Sequence, residues 1–131
     1  MILLDTCAII WDALDPSMLS PEAKNAIDQA HTHDKLIISD ISLWEIAMLI
    51  KKGRLTVAAS CTDLLNLFLQ SRSVSVQCIS PEIAELSVNF GAALNNDPAD
   101  RIIAATSIIH NARLVTADKK LINNKMLDTV W

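Results

Sequence analysis

The 131 residues carry 11 basic and 15 acidic side chains, for a formal net charge of −4, and that acidity excludes a protein that grips nucleic acid by bulk positive charge. It does not exclude an enzyme that reaches phosphates through a divalent ion held by carboxylates, because such a site is itself acidic until the ion binds. The chain is long enough for one domain with its own core, and 51% of it is hydrophobic, with a mean hydropathy of +0.32.

The apolar excess does not describe a membrane span. The richest stretches, Ile41–Ile50 and Ile102–Ile109, fall short of the roughly 18 apolar residues a spanning helix needs, and Glu45 interrupts the first. The first apolar run ends at Asp5 with no basic leader before it. The expectation is a cytoplasmic protein with an apolar face reserved for a second chain. Cys7, Cys61 and Cys78 are odd in number and form no C-x-x-C pair, which predicts reduced thiols rather than a disulfide framework or a zinc knuckle. His31 and His33 read as residues of a solvated polar loop.

In chain order, Ile2-Leu3-Leu4 is an apolar run read as a buried strand. Ser20-Pro21-Glu22 starts a helix, with Ser as cap, Pro in the first turn and an acid at the positive dipole end; it runs to about Ala30. Leu36-Ile37-Ile38 is a second strand. A second helix runs from about Ile41 to Lys51 and is broken at Gly53. Residues from about Ser60 to Gln70 form a helix with an apolar stripe at Leu64, Leu65, Phe68 and Leu69. Val74 and Val76 alternate with serines up to Cys78, as in a short strand. Ser80-Pro81-Glu82 repeats the helix start, and Asp97-Pro98 opens a helix ending near Asn111. Leu114–Thr116 is a strand, Lys119–Ile122 a short helix, and Thr129–Trp131 a terminal strand. Strands alternating with helices predict an α/β fold with a mainly parallel sheet covered on both faces. In such sheets ligands bind beyond the carboxyl ends of the strands, where strand order reverses.

Five acids fall where that rule directs attention. Asp5 follows the first strand and Asp118 lies two residues past Leu114–Thr116. Asp97 and Asp100 sit in the first turn of a helix entering from the same edge. Glu45 lies in the early turns of the second helix. All are set in apolar sequence with few cations nearby, and acids facing one another repel. A divalent ion relieves that repulsion, and oxygen ligands favour Mg²⁺ or Mn²⁺. Each acid also has a plainer reading. Asp5 can cap the turn after its strand, Ser42-x-x-Glu45 fits a capping box, Asp97 fits a helix N-cap that Asp100 completes, and Asp118 fits a turn.

Asp5-Thr6, Ser42-Leu43-Trp44-Glu45-Ile46-Ala47, Asp97-Pro98-Ala99-Asp100-Arg101-Ile102-Ile103-Ala104-Ala105-Thr106 and Leu114-Val115-Thr116-Ala117-Asp118 together resemble, in order and over essentially the whole chain, the signatures of the PIN-domain family. They are most similar to its VapC-type toxins of bacterial toxin–antitoxin pairs. The resemblance implies one PIN domain over residues 1–131, with a PIN-like three-layer fold: a central parallel sheet of four to five strands flanked by helices. It implies metal-dependent endonucleolytic cleavage of RNA. Asp5, Glu45, Asp100 and Asp118 match the acidic positions, Thr6 and Thr116 small polar positions beside them, and Asp97 an accessory acid. On this reading Asp5, Asp100 and Asp118 hold Mg²⁺ or Mn²⁺, and Glu45 holds a second ion or orients the water. A small antitoxin is the usual partner, seated on the active site and a neighbouring apolar groove.

Arg101, Lys51 and Lys52 are the candidates to meet the RNA backbone, although Lys51-Lys52 also reads as a solvated helix end and Arg101 as a structural ion pair. Trp44, Met48, Leu49 and the Leu64–Leu69 stripe are candidates for an antitoxin groove or a homodimer interface. Three rivals remain. A phosphoacceptor signalling domain requires paired acids after the first strand, and Asp5 stands alone. A silent PIN-like interaction module conflicts with four intact acids. A PIN nuclease of RNA processing, rather than a toxin, shares every motif.

Overall fold

The computed structural model describes residues 1–131. Five strands form one parallel sheet in the order β3-β2-β1-β4-β5, with β1 Ile2–Leu4, β2 Leu36–Ser39, β3 Ser75–Gln77, β4 Arg113–Val115 and β5 Thr129–Val130. The registers are regular: Leu3 lies beside Ile37 on one side and Leu114 on the other. The central strands are short and wholly or nearly buried, as expected for a sheet covered on both faces.

Alternation along these strands divides the interior in two. Leu4, Leu36, Ile38 and Val115 face one core, filled by Ala8, Ile9, Ala23, Ile27, Ile46 and Phe68. Leu3, Ile37 and Leu114 face the other, filled by Ile83, Phe90, Ile103, Ala104 and Leu121. The helices that supply these residues are α1 Thr6–Leu14, α2 Pro21–Thr32, α3 Asp40–Lys51, α4 Cys61–Ser71, α5 Pro81–Val88, α6 Pro98–Ile109 and α7 Lys119–Ile122. None is long and apolar enough to cross a membrane.

Every helix begins on a side-chain cap. Ser20, Ser39, Ser60 and Ser80 cap α2 to α5, while Asp5, Asp97 and Asp118 cap α1, α6 and α7. Sequence pattern anticipated most of this architecture but not α1, which fills the stretch between Asp5 and Pro16. It also placed His31 and His33 in a loop, whereas α2 continues to Thr32 with His33 as its C-cap. Their ring nitrogens lie 2.9 Å from the carbonyls of Arg72 and Gln29 respectively, so the pair closes a helix end. The capping box at Ser42 and Glu45 does not form either. Helix α3 starts earlier, on Ser39, whose hydroxyl accepts from the Ile41 amide at 3.3 Å.

Candidate active site

Strand order reverses between β1 and β4, so the chain leaves these neighbours in opposite directions and opens a crevice at their carboxyl ends. A cavity of about 410 Å³ lies there, lined by Asp5, Thr6, Cys7, Trp11, Glu45, Leu49, Asp100, Ala117 and Asp118. The four acids singled out in the sequence thus meet at one place, and no Lys or Arg lines it.

Capping and clustering turn out to be compatible roles. Asp5 accepts the Ala8 amide at 2.8 Å through Oδ1, and Asp118 accepts the Lys120 amide at 2.9 Å through Oδ1. Each cap sets its carboxylate at the positive end of a helix, beside the sheet edge. Asp100 is held by the side-chain amide of Asn95, at 3.1 Å through Oδ2. Glu45 receives the Thr6 hydroxyl on Oε1, and that hydroxyl is also hydrogen-bonded to Ser42, at 3.0 Å. Glu45, Asp100 and Asp118 therefore each have one oxygen held by the fold and a second without a protein partner.

Electrostatics follow from this crowding. Burial, opposed by the Thr116 hydroxyl and the Ala8 amide and reinforced by Asp118 and Glu45, pushes Asp5 up to about 6. Burial likewise raises Asp100 to about 6, with Asn95 opposing and Asp97, Asp118 and Glu45 adding to the rise. Glu45 is raised by burial, against the Thr6 hydrogen bond. Burial and the surrounding acids push the Cys7 thiol up to about 11, so it stays neutral. The donor set suits a hard divalent cation, whose charge would offset both the burial and the mutual repulsion that raise these pKa values. No three of these donors converge tightly enough to cage an ion. An ion here would make few direct carboxylate contacts and keep water, as Mg²⁺ commonly does.

The sequence profile of the PIN domain matches residues 2–125. The chain belongs to the PIN-domain family. It is 34% identical to Ribonuclease VapC22 of Mycobacterium tuberculosis, over 99% of this chain and 98% of the relative. Among solved structures, VapBC2 from Rickettsia felis, bound to a DNA fragment from its promoter, shares the fold at a TM-score of 0.70 and 22% identity, covering 98% of this chain and 97% of that one. A toxin–antitoxin complex from Klebsiella pneumoniae does so at a TM-score of 0.65 and 24% identity, covering 97% and 95%.

Within this PIN domain the outlying candidates differ in kind. Asp97 is exposed and caps α6 by accepting the Asp100 amide at 3.0 Å. Thr116 is fully buried, and its Oγ1 accepts the Asp118 amide at 3.1 Å, fixing the turn that carries Asp118. Arg101 does not pair with Asp100. Its guanidinium donates to the carbonyls of Asn95 at 2.7 Å, Gly91 at 2.6 Å, Leu94 at 3.1 Å and Ser87 at 3.4 Å. It binds the backbone around its own loop, which corrects the ion-pair reading. Lys51 and Lys52 are exposed at the end of α3.

The wall also holds Cys7, Trp11 and Ala117, which sequence reading misses, and Leu49, which it assigns to a partner interface. Cys7 and Trp11 lie four residues apart on one face of α1, so both depend on the helix that was not foreseen. Ile10, Ala13, Leu14, Leu55, Leu64 and Leu65 pack with the core residues Ile9, Ile46 and Phe68 in an apolar seam of α1, α3 and α4 that leaves a gap of only about 10 Å³. Trp44 and Leu67 stand exposed on the outer surface of α3 and α4, whereas Phe68 belongs to the core.

Proposed function

We propose that this chain is a divalent-metal-dependent endoribonuclease, the toxin of a toxin–antitoxin pair, acting as a single PIN domain over residues 1–131. The observation that carries the reading is the cavity at the β1/β4 switch point, where four carboxylates and no cation meet in a chain 34% identical to a named ribonuclease.

Asp5, Asp100 and Asp118 would hold Mg²⁺ or Mn²⁺, directly or through water, and Glu45 would orient the attacking water or hold a second ion. When bound, the ion supplies water activation and neutralises charge on the phosphate. The residues around it have definable tasks. Asp5 and Asp118 are fixed by their capping bonds, Thr6 aims Glu45, Asn95 aims Asp100, and Thr116 supports Asp118. Supporting hydrogen bonds of this kind set ligand orientation and affinity. No histidine lines the cavity, so proton transfer falls to carboxylate and water. Lys51 and Lys52 are the proposed contacts to the RNA backbone.

The partner reading rests on the fold shared with a toxin–antitoxin complex and on exposed apolar side chains such as Leu14, at the end of α1, onto which the apolar face of an antitoxin helix can pack. Exposed Trp44 and Leu67 are the proposed centre of a homodimer contact. The protein works in the cytoplasm, with its three thiols reduced.

End-group analysis tests the chemistry. Direct hydrolysis by water leaves fragments with a 5′-phosphate and a 3′-hydroxyl. Fragments ending in a 2′,3′-cyclic phosphate would show attack by the ribose hydroxyl and overturn the scheme.

A further inference from the structure

An RNA strand entering this cavity meets a difficulty. Its phosphates approach four carboxylates with no cation on the wall. A metal ion can answer for the scissile phosphate alone. The neighbouring nucleotides need an attraction that does not depend on charge, and stacking on an aromatic face is such an attraction.

One aromatic side chain lines the cavity, and it is Trp11. Its surroundings distinguish it from an ordinary core residue. Ala8 and Ile9 on the same helix are buried in the core, whereas Trp11 is half-buried and shares the cavity face with Cys7. The Trp131 ring, just past β5, packs against it with centroids 5.6 Å apart and planes tilted by 52°. That geometry lies in the favourable range for aromatic pairs and braces the indole before any ligand arrives. The chain has only three tryptophans and two phenylalanines. Phe68 and Phe90 are buried in the two cores and Trp44 lies on the outer surface, so Trp11 alone lines the cavity, with Trp131 packed against it.

We propose that Trp11, braced by Trp131, is the platform on which an unpaired base of the RNA substrate stacks, one or a few nucleotides from the bond that is cut. The proposal rests on the ribonuclease reading and sharpens it: the substrate is single-stranded at the site, and a base is held there by stacking, which accepts any base. Trp11 is the contact and Trp131 the positioning residue behind it.

The test uses a short labelled single-stranded oligoribonucleotide in Mg²⁺, and versions with one base removed at each position in turn. Stacking is worth about 1–3 kcal/mol per base, which is roughly 5- to 150-fold. Removing one particular base should therefore raise the wild-type KM by about that factor. Trp11→Leu should show the same rise on intact RNA, with kcat kept, and no further rise on the abasic substrate. Trp11→Phe should stay within about threefold of wild type, and Trp131→Leu should be intermediate and restored by Trp131→Phe. A Trp11→Leu protein as sensitive to base removal as the wild type would overturn the platform.

A second readout does not depend on how the leucine variant folds. In Trp44→Phe/Trp131→Phe, Trp11 is the sole indole; intact RNA should quench its emission and the abasic version should not. Equal quenching, or none, contradicts the proposal. If the wild type cleaves no RNA, the ribonuclease reading fails separately. Base-dependent quenching and affinity then still support the platform, and their absence removes it.

Discussion

The two walls of the acid cavity are tied down by different means. On one side, Asp5 is held by the cap of α1, and Glu45 on α3 by a bond between residues far apart in sequence, with Thr6 reaching Ser42 and Glu45 across the interior. On the other, Asp100 is fixed by a local device in which Asn95 holds its carboxylate and Arg101 holds the loop carrying Asn95. The first wall depends on tertiary packing of two helices on β1. The second is a self-contained loop–helix motif, closed by one guanidinium on four carbonyls. The contrast predicts that damage to the second wall appears first as lost stability, and damage to the first as lost function in a folded protein.

The largest effect on the second wall is expected from Arg101→Gln. Losing the charged donor leaves several carbonyls without a partner, at a cost of about 3 kcal/mol, seen as a lower thermal midpoint. If Arg101 instead served mainly to grip RNA, the melting temperature would hold and KM alone would rise. On the first wall, Thr6→Val removes the donor that orients Glu45 while preserving shape. Metal affinity or turnover should fall about 10- to 100-fold with the circular dichroism spectrum unchanged, and Thr6→Ser should recover most of it. Wild-type behaviour of Thr6→Val would show that the Glu45 contact has no functional weight.

A smaller effect concerns pH. Asp5 has a folded pKa of about 6 against an ordinary value of 3.8. A raised carboxylate pKa means the folded state binds the proton more tightly. The stability from this group is present below the ordinary value and is lost as pH rises through about 6. In EDTA the protein should therefore melt a few degrees lower at pH 7.5 than at pH 5, with about 1 kcal/mol from Asp5 alone. Asp5→Asn should reduce that dependence, leaving the share of Asp100 and Glu45, which are raised as well, and an unchanged profile in the variant would assign it elsewhere. The smallest effect is expected from Lys51→Ala/Lys52→Ala: a few-fold rise in KM that shrinks as salt increases, with kcat untouched. A salt-independent change would remove these lysines from the RNA path.

The same contrast explains what the sequence made legible. The second wall could be read in outline because its signals are adjacent: Asp97-Pro98 announces a helix start and Asp100 follows within one turn. The carbonyls that Arg101 seeks were not legible, because backbone targets in a loop leave no side-chain pattern. On the first wall the acids were visible as carboxylates after apolar runs, but their supports were not. Helix α1 starts directly on Asp5 without a Ser-Pro-Glu signature, and Ile9, Ile10 and Trp11 continue the apolar run, so the segment has no polar face to reveal its period. The usable clue was negative, the absence of any Gly or Pro between Asp5 and Pro16. The misplaced capping box has a similar cause. Ser39 and Ser42 both stand before an apolar run, and only the end of β2 decides which one caps.

The central claim is that these four acids form one metal-dependent centre for cutting RNA. The most direct measurement follows cleavage of labelled cellular RNA by the purified protein in Mg²⁺ or Mn²⁺, and in EDTA, beside Asp5→Asn. The account predicts cleavage that requires the metal and falls by roughly 1000-fold in the variant, the several kcal/mol that metal-assisted charge stabilisation supplies. Cleavage that persists in EDTA, or a wild type and variant that behave alike, would contradict it.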